Sequence, residues 1–398
     1  MPRVKIYYGD FHIHIGRNNL DQIVKIPSAA NLTLANIAKE ALMSKGLDII
    51  GVVDCASPLV LKDLHSLVDQ CHMKEIPGGG LLYQERLLVL LAAEFELGGD
   101  RGGSAHFLAF MPTLKQMEEF SKRLGAAVTN INLSSQRAAG TPQQWFDIVA
   151  QMGGLLIPAH VFTPYKGLLG NMAESVTTVL TRKQIQSLAA IELGLSADTA
   201  MGDSIPEFTS VSFLSNSDAH SLPKIAREYN VLMMKELSFT EWKKALFRQD
   251  GRGVIANYGL DPRLGKFHRS RCLGCGAQVD KYRPPMNCSR CGSDRILWGV
   301  LDRVRYIGTD LPTPAHRPPY YYQIPLEFVP GVGPKTLRRL IQRFGSEMAV
   351  LHRASEEELA EVVGAKLARS IQGARTGKLA IAHGGGGEYG KVLPDIAD

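Results

Sequence analysis

No apolar run in this chain of 398 residues approaches the ~20 residues that a membrane-spanning helix requires. The N-terminus also lacks the basic, apolar and small-residue succession of a signal peptide. Both absences predict a cytoplasmic protein without a membrane partner. Cysteine is scarce: there are six, and four of them fall in one motif, leaving Cys55 and Cys71. A disulfide framework is therefore not expected. Charge is sparse at 21%, against 45% hydrophobic residues, so the chain can bury a large core and should form two or more domains. The charge is unevenly spread, with a net −2 over residues 1–250 and +8 over residues 251–398.

Close to the N-terminus stands Asp10-Phe11-His12-Ile13-His14, where three possible metal ligands alternate on an extended segment and so share one face. Apolar, strand-like runs ending in a carboxylate or imidazole recur at 49–54, 88–94, 155–160 and 211–220. Between them, helical periodicity covers 34–44, 61–71, 145–152, 183–190 and 239–248. Alternating strands and helices predict a parallel sheet with crossover connections. If such a sheet closes into a barrel, the strand ends converge on one mouth, where these folds carry their chemistry. The converging set is His12, His14, Glu94, His106, His160, Asp218 and His220, with Asp10 and Asp54 close by. Imidazoles with carboxylates suit zinc, manganese or iron, and a carboxylate can bridge two ions.

These motifs, with Val53-Asp54, Pro158-Ala159-His160 and Ser217-Asp218-Ala219-His220, resemble the PHP (polymerase and histidinol phosphatase) superfamily. The resemblance implies a distorted (β/α)7 barrel over residues 1–250 that holds two or three divalent ions, whether Zn, Mn or Mg. It would place His12, His14, Glu94 and Asp218 on one ion, Glu94, His106 and His160 on a second, and His220 at a third site. Asp218, Glu94 and Asp10 are the catalytic candidates. The chain departs from the superfamily at Val53-Asp54-Cys55, where the pattern often has Thr-Asp-His, and no histidine follows His14 in the next loop. Either the Cys55 thiolate replaces an imidazole, as zinc accepts, or Cys55 is an inert buried thiol and the third ion is weak or missing.

The second half opens with Cys272-x-x-Cys275 and, twelve residues on, Cys288-x-x-Cys291. Two such knuckles, each followed by glycine, suit a closed tetrahedral zinc site of structural type in a small domain over 251–310. The glycines and Pro284-Pro285 argue against a thioredoxin-like redox helix. Basic residues surround the knuckles, among them Arg269, Arg271, Lys281 and Arg283, with Tyr282, Trp298 and Tyr306 interleaved. Basic groups neutralise phosphates and aromatic faces stack on bases, so the pattern fits nucleic acid.

A Pro-rich stretch, 311–325, reads as a semi-rigid linker. Beyond it, 326–337 resembles a helix-hairpin-helix: Gly331 and Gly333 let amides approach a phosphate, Pro334 starts the next helix, and Lys335 and Thr336 stand at its N-terminus. A poorer copy at 359–368 predicts a tandem unit over 326–382, followed by a flexible tail, 383–398, that includes the Gly384–Gly387 tract. The glycine required before the lysine of a nucleotide-hydrolase loop is a proline here, which excludes that chemistry. The segment Gln323-Ile324-Pro325-Leu326-Glu327-Phe328 faintly resembles a sliding-clamp peptide, although it also reads simply as the entry to the first hairpin.

Taken in order, a PHP-like barrel, a four-cysteine ribbon and tandem hairpins resemble the endonuclease Q family over nearly the whole chain. That resemblance implies a nucleoid-associated, monomeric repair enzyme. Its expected DNA partners carry uracil, hypoxanthine, xanthine or an abasic site, and it would cut on the 5′ side of the lesion to leave 3′-hydroxyl and 5′-phosphate ends. A flipped base would need a pocket beside the ions, for which the insertion 98–140 and the loop 161–171, with Phe162, Tyr165 and Asn171, are the candidates. The competing readings are a 3′-to-5′ exonuclease, a small-molecule phosphoesterase and a non-catalytic lesion-binding adaptor.

Overall fold

The computed structural model describes residues 4–99, 102–284, 286–384 and 387–393. Strand β1 (Lys5–Ile13) runs parallel to β2 (Ile49–Val52), which in turn runs parallel to β3 (Leu87–Gly98). The near-continuous apolar run of β3 is buried along almost its whole length, as expected of a strand covered on both faces. From β3 the order changes. Strand β4 (Ser104–Met111) pairs antiparallel with β3, and β5 (Leu155–Pro158) pairs antiparallel with β4. Strands β6 (Ala190–Glu192) and β7 (Ser212–Leu214) are parallel.

The ring closes without a full ladder. The Val161 amide donates to Glu192 O (2.9 Å) between the fifth and sixth strands, while Ala219 bridges Ile13 in parallel sense, with His14 N donating to Ala219 O at 3.0 Å. The result is the expected distorted α/β barrel. Its purely parallel order is corrected, because the short Gly-containing connection after β3 permits only a hairpin. Residues 98–140 are accordingly no free insertion. Among those described, they supply β4 and helix α3 (Leu114–Gly125) to the barrel.

The crossovers are α1 (Leu34–Lys39), which continues as a π-helical turn (Glu40–Lys45), α2 (Pro58–Asp69), α3, α4 (Pro142–Gln151), α5 (Arg182–Gln186), α6 (Thr199–Asp203) and α7 (Phe239–Leu246). Thr141 and Gln144 form a capping box on α4, and Thr181 and Gln184 form one on α5, fixing where those helices begin. Strand β8 (Tyr229–Met234) extends the sheet beyond β1, followed by β9 (Gly253–Gly259).

The Pro-rich stretch is not a spacer. Strand β10 (Tyr320–Tyr322) pairs in parallel with β9, and Arg317 is buried with Nε 2.8 Å from Asp203 Oδ1 and its guanidinium carbon 3.4 Å from the Phe213 ring centre. A guanidinium is tolerated there because a carboxylate and two backbone carbonyls, Val211 O and Phe208 O, meet its donors.

The ribbon packs Cys272, Val279, Met286 and Cys288 into its own small core and leads into α8 (Val300–Ile307); Pro285 lies outside the described residues. The C-terminal unit comprises α9 (Pro334–Phe344), α10 (Glu347–His352), α11 (Glu356–Val363) and α12 (Ala365–Arg375). Its hairpins turn at Gly331 (φ 94°) and Gly364 (φ 83°), positions where a side chain would be strained.

This unit is docked on the barrel through the buried pair Lys45–Glu347 (2.8 Å), through Lys224–Glu327 (2.8 Å) and through Tyr229 Oη, which lies 2.5 Å from Gln323 Oε1 and 2.6 Å from His352 Nε2. Removing one partner of a buried pair such as Lys45–Glu347 costs about 3–5 kcal/mol. The clamp-like segment is spent on this docking, since Gln323, Ile324 and Leu326 are buried. The tail, too, departs from expectation. Ile381–Ala382 pairs with Lys391–Val392, and Gly390 N donates to Leu264 O at 2.8 Å; residues 385–386 and 394–398 of the tail lie outside the described residues. Among the described residues no helix is long and apolar enough to cross a membrane.

Candidate metal centre and nucleic-acid interface

The strand ends bring seven side chains to one mouth. Three groups of ligand atoms each lie within 4.8 Å of one another: His12, His14 and Glu94; Glu94, His106 and His160; and His14, Asp218 and His220. Glu94 joins two groups, and its Oε1 alone faces members of both. Oε1 lies 3.4 Å from His12 Nε2, 2.9 Å from His106 Nδ1 and 3.7 Å from His160 Nε2, while Oε2 lies 3.6 Å from His14 Nε2. Asp218 Oδ1 is 3.5 Å from His12 Nε2 and 3.4 Å from His14 Nε2. Glu94 thus stands among four imidazoles, placed where a carboxylate could serve more than one ion.

Both N-terminal histidines are aimed from behind. His12 Nδ1 lies 2.8 Å from Glu192 Oε2, and His14 Nδ1 lies 3.1 Å from Asp54 Oδ1, so each ring turns Nε2 to the centre. Asp54 is thereby corrected from ligand to support, because it also accepts from Ile15 N (2.5 Å) and the Ser134 hydroxyl. Asp10 is corrected as well. Fully buried and pushed up to about 6 by burial, it accepts from Ser217 N and Ala226 N at 3.0 Å each, and so fixes the loop that carries Asp218 and His220.

Cys55 points away from the centre. Its thiol donates to Val52 O at 3.2 Å, and burial pushes it up to about 12, far from the thiolate that a metal needs. This placement is the one expected of a buried thiol that takes no part in the ligand groups.

The local backbone is bent to serve the site. His160 (φ 29°) and Asp218 (φ 46°) both have positive φ, a conformation that costs energy outside glycine and clusters at functional sites. A Cβ at Gly194 (φ 82°), just beyond β6, would lie 2.9 Å from His160 Cβ, so the chain passes His160 only as glycine.

The electrostatics fit divalent cations. Burial alone would lower the His12 imidazole, yet Glu192 and Asp218 outweigh it and hold it well above its ordinary value. The neighbouring imidazoles, His12 foremost, hold the Asp218 carboxyl well below its own against the pull of burial. Protons drawn in this way onto imidazoles are what a cation displaces. The buried His160 Nδ1 and Glu192 Oε1 also lack hydrogen-bond partners among the described residues.

Glu192 and Lys25 were not anticipated from sequence, although the apolar run 188–191 ending in Glu192 carried the same signal as the other ligands. Lys25 Nζ lies 3.0 Å from Glu94 Oε2.

Above the ligands opens a cavity of about 310 Å³, whose outer wall includes Tyr165, Lys166, Leu195, Ser196, Phe267 and Tyr389. Tyr165 and Phe267 meet edge to face at 5.4 Å. Phe162 and Asn171 are corrected as base-pocket residues. Phe162 is buried in the core, and Asn171 accepts from Ser104 N (2.9 Å) and donates to Pro164 O (3.1 Å).

In the ribbon, Cys272 Sγ lies 3.6 Å from Cys291 Sγ, Cys275 Sγ lies 3.5 Å from Cys288 Sγ, and all four fall in one group. The amides of Cys275 and Gly274 help pull the Cys272 thiol down to about 6, towards the ligating thiolate. Lys281 and Arg283 are exposed and Arg271 is half-buried. Arg269 is corrected, because its guanidinium is held by Asp302 (3.2 Å) and Asp280 (3.2 Å) inside the ribbon. At the first hairpin, Gly333 caps α9 without a side-chain bond, leaving the amides beside exposed Lys335 and half-buried Thr336 open to an anion.

A family model of SAM-like helix-hairpin-helix tandems matches residues 324–373. The uncharacterized protein YqxK of Bacillus subtilis is 47% identical over 393 residues, covering 98% of this chain and 100% of YqxK. The crystal structure of the lesion-specific endonuclease PfuEndoQ from Pyrococcus furiosus aligns at a TM-score of 0.84 with 31% identity, over 99% of this chain and 98% of that one. A crystal structure of endonuclease Q in complex with a 27-mer duplex substrate, with an abasic lesion at the active site, aligns at 0.83 with 32% identity, over 98% and 97%. Barrel, donor set and helix-hairpin-helix tandem together define a metal-dependent nuclease. The chain belongs to the endonuclease Q family.

Proposed function

We propose that this DNA-repair endonuclease cuts duplex DNA on the 5′ side of a deaminated base (uracil, hypoxanthine or xanthine) or an abasic site, leaving 3′-hydroxyl and 5′-phosphate ends. The observation that carries the reading is the convergence of three ligand groups sharing Glu94 and His14 beneath a cavity walled by Tyr165 and Phe267. The structures aligned to the whole chain, one of them with an abasic duplex, support it.

His12, His14, Glu94 and Asp218 would hold one ion, and Glu94, His106 and His160 a second; zinc or manganese suits so many imidazoles better than magnesium. Bound ions would lower the pKa of a coordinated water to about 7 and neutralise charge on the leaving 3′ oxygen. Asp218, facing the cavity, orients the attacking water, and Glu192 and Asp54 keep the rings of His12 and His14 in register. Tyr165 and Phe267 offer apolar faces to a base turned out of the stack, whose altered Watson-Crick edge must be read there.

The barrel, residues 1–250, does the chemistry. The ribbon over 251–310, with a structural zinc, and the tandem over 326–382 hold the duplex through Arg271, Lys281, Arg283 and the amides at Gly331, Gly333, Lys335 and Thr336.

The test is a labelled duplex with one uracil, one hypoxanthine or one abasic site, incubated with Mg²⁺, Mn²⁺ or Zn²⁺ beside an undamaged control. A single nick just 5′ of the lesion, abolished by chelator, is the expected result. Laddering from the ends would assign an exonuclease instead.

A further inference from the structure

One buried cation belongs to the centre and has no part in the account above. Lys25 lies in the loop between β1 and α1, and that loop is tied down at its base: Val24 is fully buried, its amide donates to Gly16 O (2.9 Å), and its carbonyl accepts from Ser134 N (2.8 Å). The Lys25 side chain is 11% exposed. Its ammonium donates to Ser135 Oγ and to Glu94 Oε2, the latter at 3.0 Å.

Its side of the cluster matters. Glu94 Oε1 faces His12, His106 and His160, whereas Oε2 faces Lys25 and His14. His14 in turn belongs to the group with Asp218 and His220, the third place where a divalent ion could sit. In that group one carboxylate meets two imidazoles, and one of those imidazoles, His14, shares Glu94 Oε2 with the Lys25 ammonium, which brings positive charge to the edge of the group. Like charges in a shielded site repel strongly, and an ammonium is a compact point charge that a packed loop can hold in place.

We propose that Lys25 is a built-in third cation. Its ammonium takes the charge-balancing role of an ion at the His14–Asp218–His220 group, so the barrel takes up two divalent ions and not three, and Lys25 positions Glu94 between them. The proposal rests on the reading of the barrel as a metal centre.

Metal content separates the two. The full chain, loaded with Mn²⁺ or Zn²⁺ and desalted, is assayed by plasma mass spectrometry as wild type and as Lys25→Asp, which exchanges the ammonium for a ligand. The expectation is three ions per wild-type chain, two in the barrel and one in the ribbon, and one more in Lys25→Asp. Four ions in the wild type, or equal content in the two proteins, overturns the proposal. No ion beyond the ribbon's in either protein removes the metal-centre reading itself. Should Lys25→Asp fail to fold, the wild-type count alone decides, and Lys25→Arg, which keeps the charge, is expected to hold the wild-type count, with a fourth ion in it counting against the proposal.

Discussion

The two ligand clusters of this chain are built on opposite plans. The ribbon draws four thiols from twenty residues of sequence, places them in pairs 3.5–3.6 Å apart, and offers no other donor type. The barrel gathers imidazoles and carboxylates from residues 12 to 220, brought in or just after five different strands, with two of them at positive φ. Four thiolates would complete a tetrahedron around an ion and leave nothing for a substrate, whereas carboxylates among imidazoles under an open cavity would leave room at a held ion for water and phosphate. Closed coordination goes with holding the chain together, and open coordination with chemistry.

The comparison is broken most forcefully at the ribbon. Structural ions of this kind contribute on the order of 10 kcal/mol, which is folding free energy. Cys288→Ser is therefore expected to lose one ion per chain and to melt the ribbon, seen as rapid amide exchange over its residues, while the barrel ions stay. Loss of the barrel ions as well would show the two clusters to be one cooperative unit.

At the barrel the same one-atom change has the opposite signature. Asp218→Asn should leave lesion-DNA binding in place and slow single-turnover cutting by ~100-fold or more, the range that groups handling a proton supply. Near-normal cutting removes Asp218 from the mechanism. Behind the ligands, Glu192→Ala removes the acceptor on His12 Nδ1 and frees the ring, and barrel-metal affinity should fall about 10–100-fold with the ribbon ion unaffected, as measured by competition with a chromophoric chelator. An unchanged affinity would mean that packing alone orients His12.

The same contrast explains what could be read in advance. The ribbon was legible because its ligands are neighbours in sequence and spacing alone fixes them. Among the barrel ligands, His12 and His14 were legible from their alternation, and Glu94, His160, Asp218 and His220 because each closes an apolar run. What escaped was contact between elements. Nothing local marks Lys25, whose role depends on a loop returning to Glu94. Asp10 reads like a ligand by alternation with His12, yet it turns to the amides of Ser217 and Ala226, because a bulge between Asp10 and Ile13 shifts the register of β1. Phe162 and Arg269 have the right chemistry for DNA, but burial and the Asp302 carboxylate consume them. The Pro-rich stretch looked like a spacer because composition does not show that Arg317 will find Asp203.

The smallest effect is expected where residue type misleads most. Cys55 adjoins Asp54, itself one bond from His14, and a thiol so placed invites assignment to the centre. Its thiol instead faces Val52 O inside the core, and burial holds it protonated. Cys55→Ala removes one sulfur and a weak hydrogen bond, so the loss should be about 1 kcal/mol of stability, read as a small drop in the denaturant midpoint. Barrel metal content and cutting rate should both match the wild type. If Cys55→Ala instead lost a barrel ion while keeping its fold, the thiol would have to turn towards the centre when metal binds, and the open cluster would share the sulfur chemistry that now sets the ribbon apart.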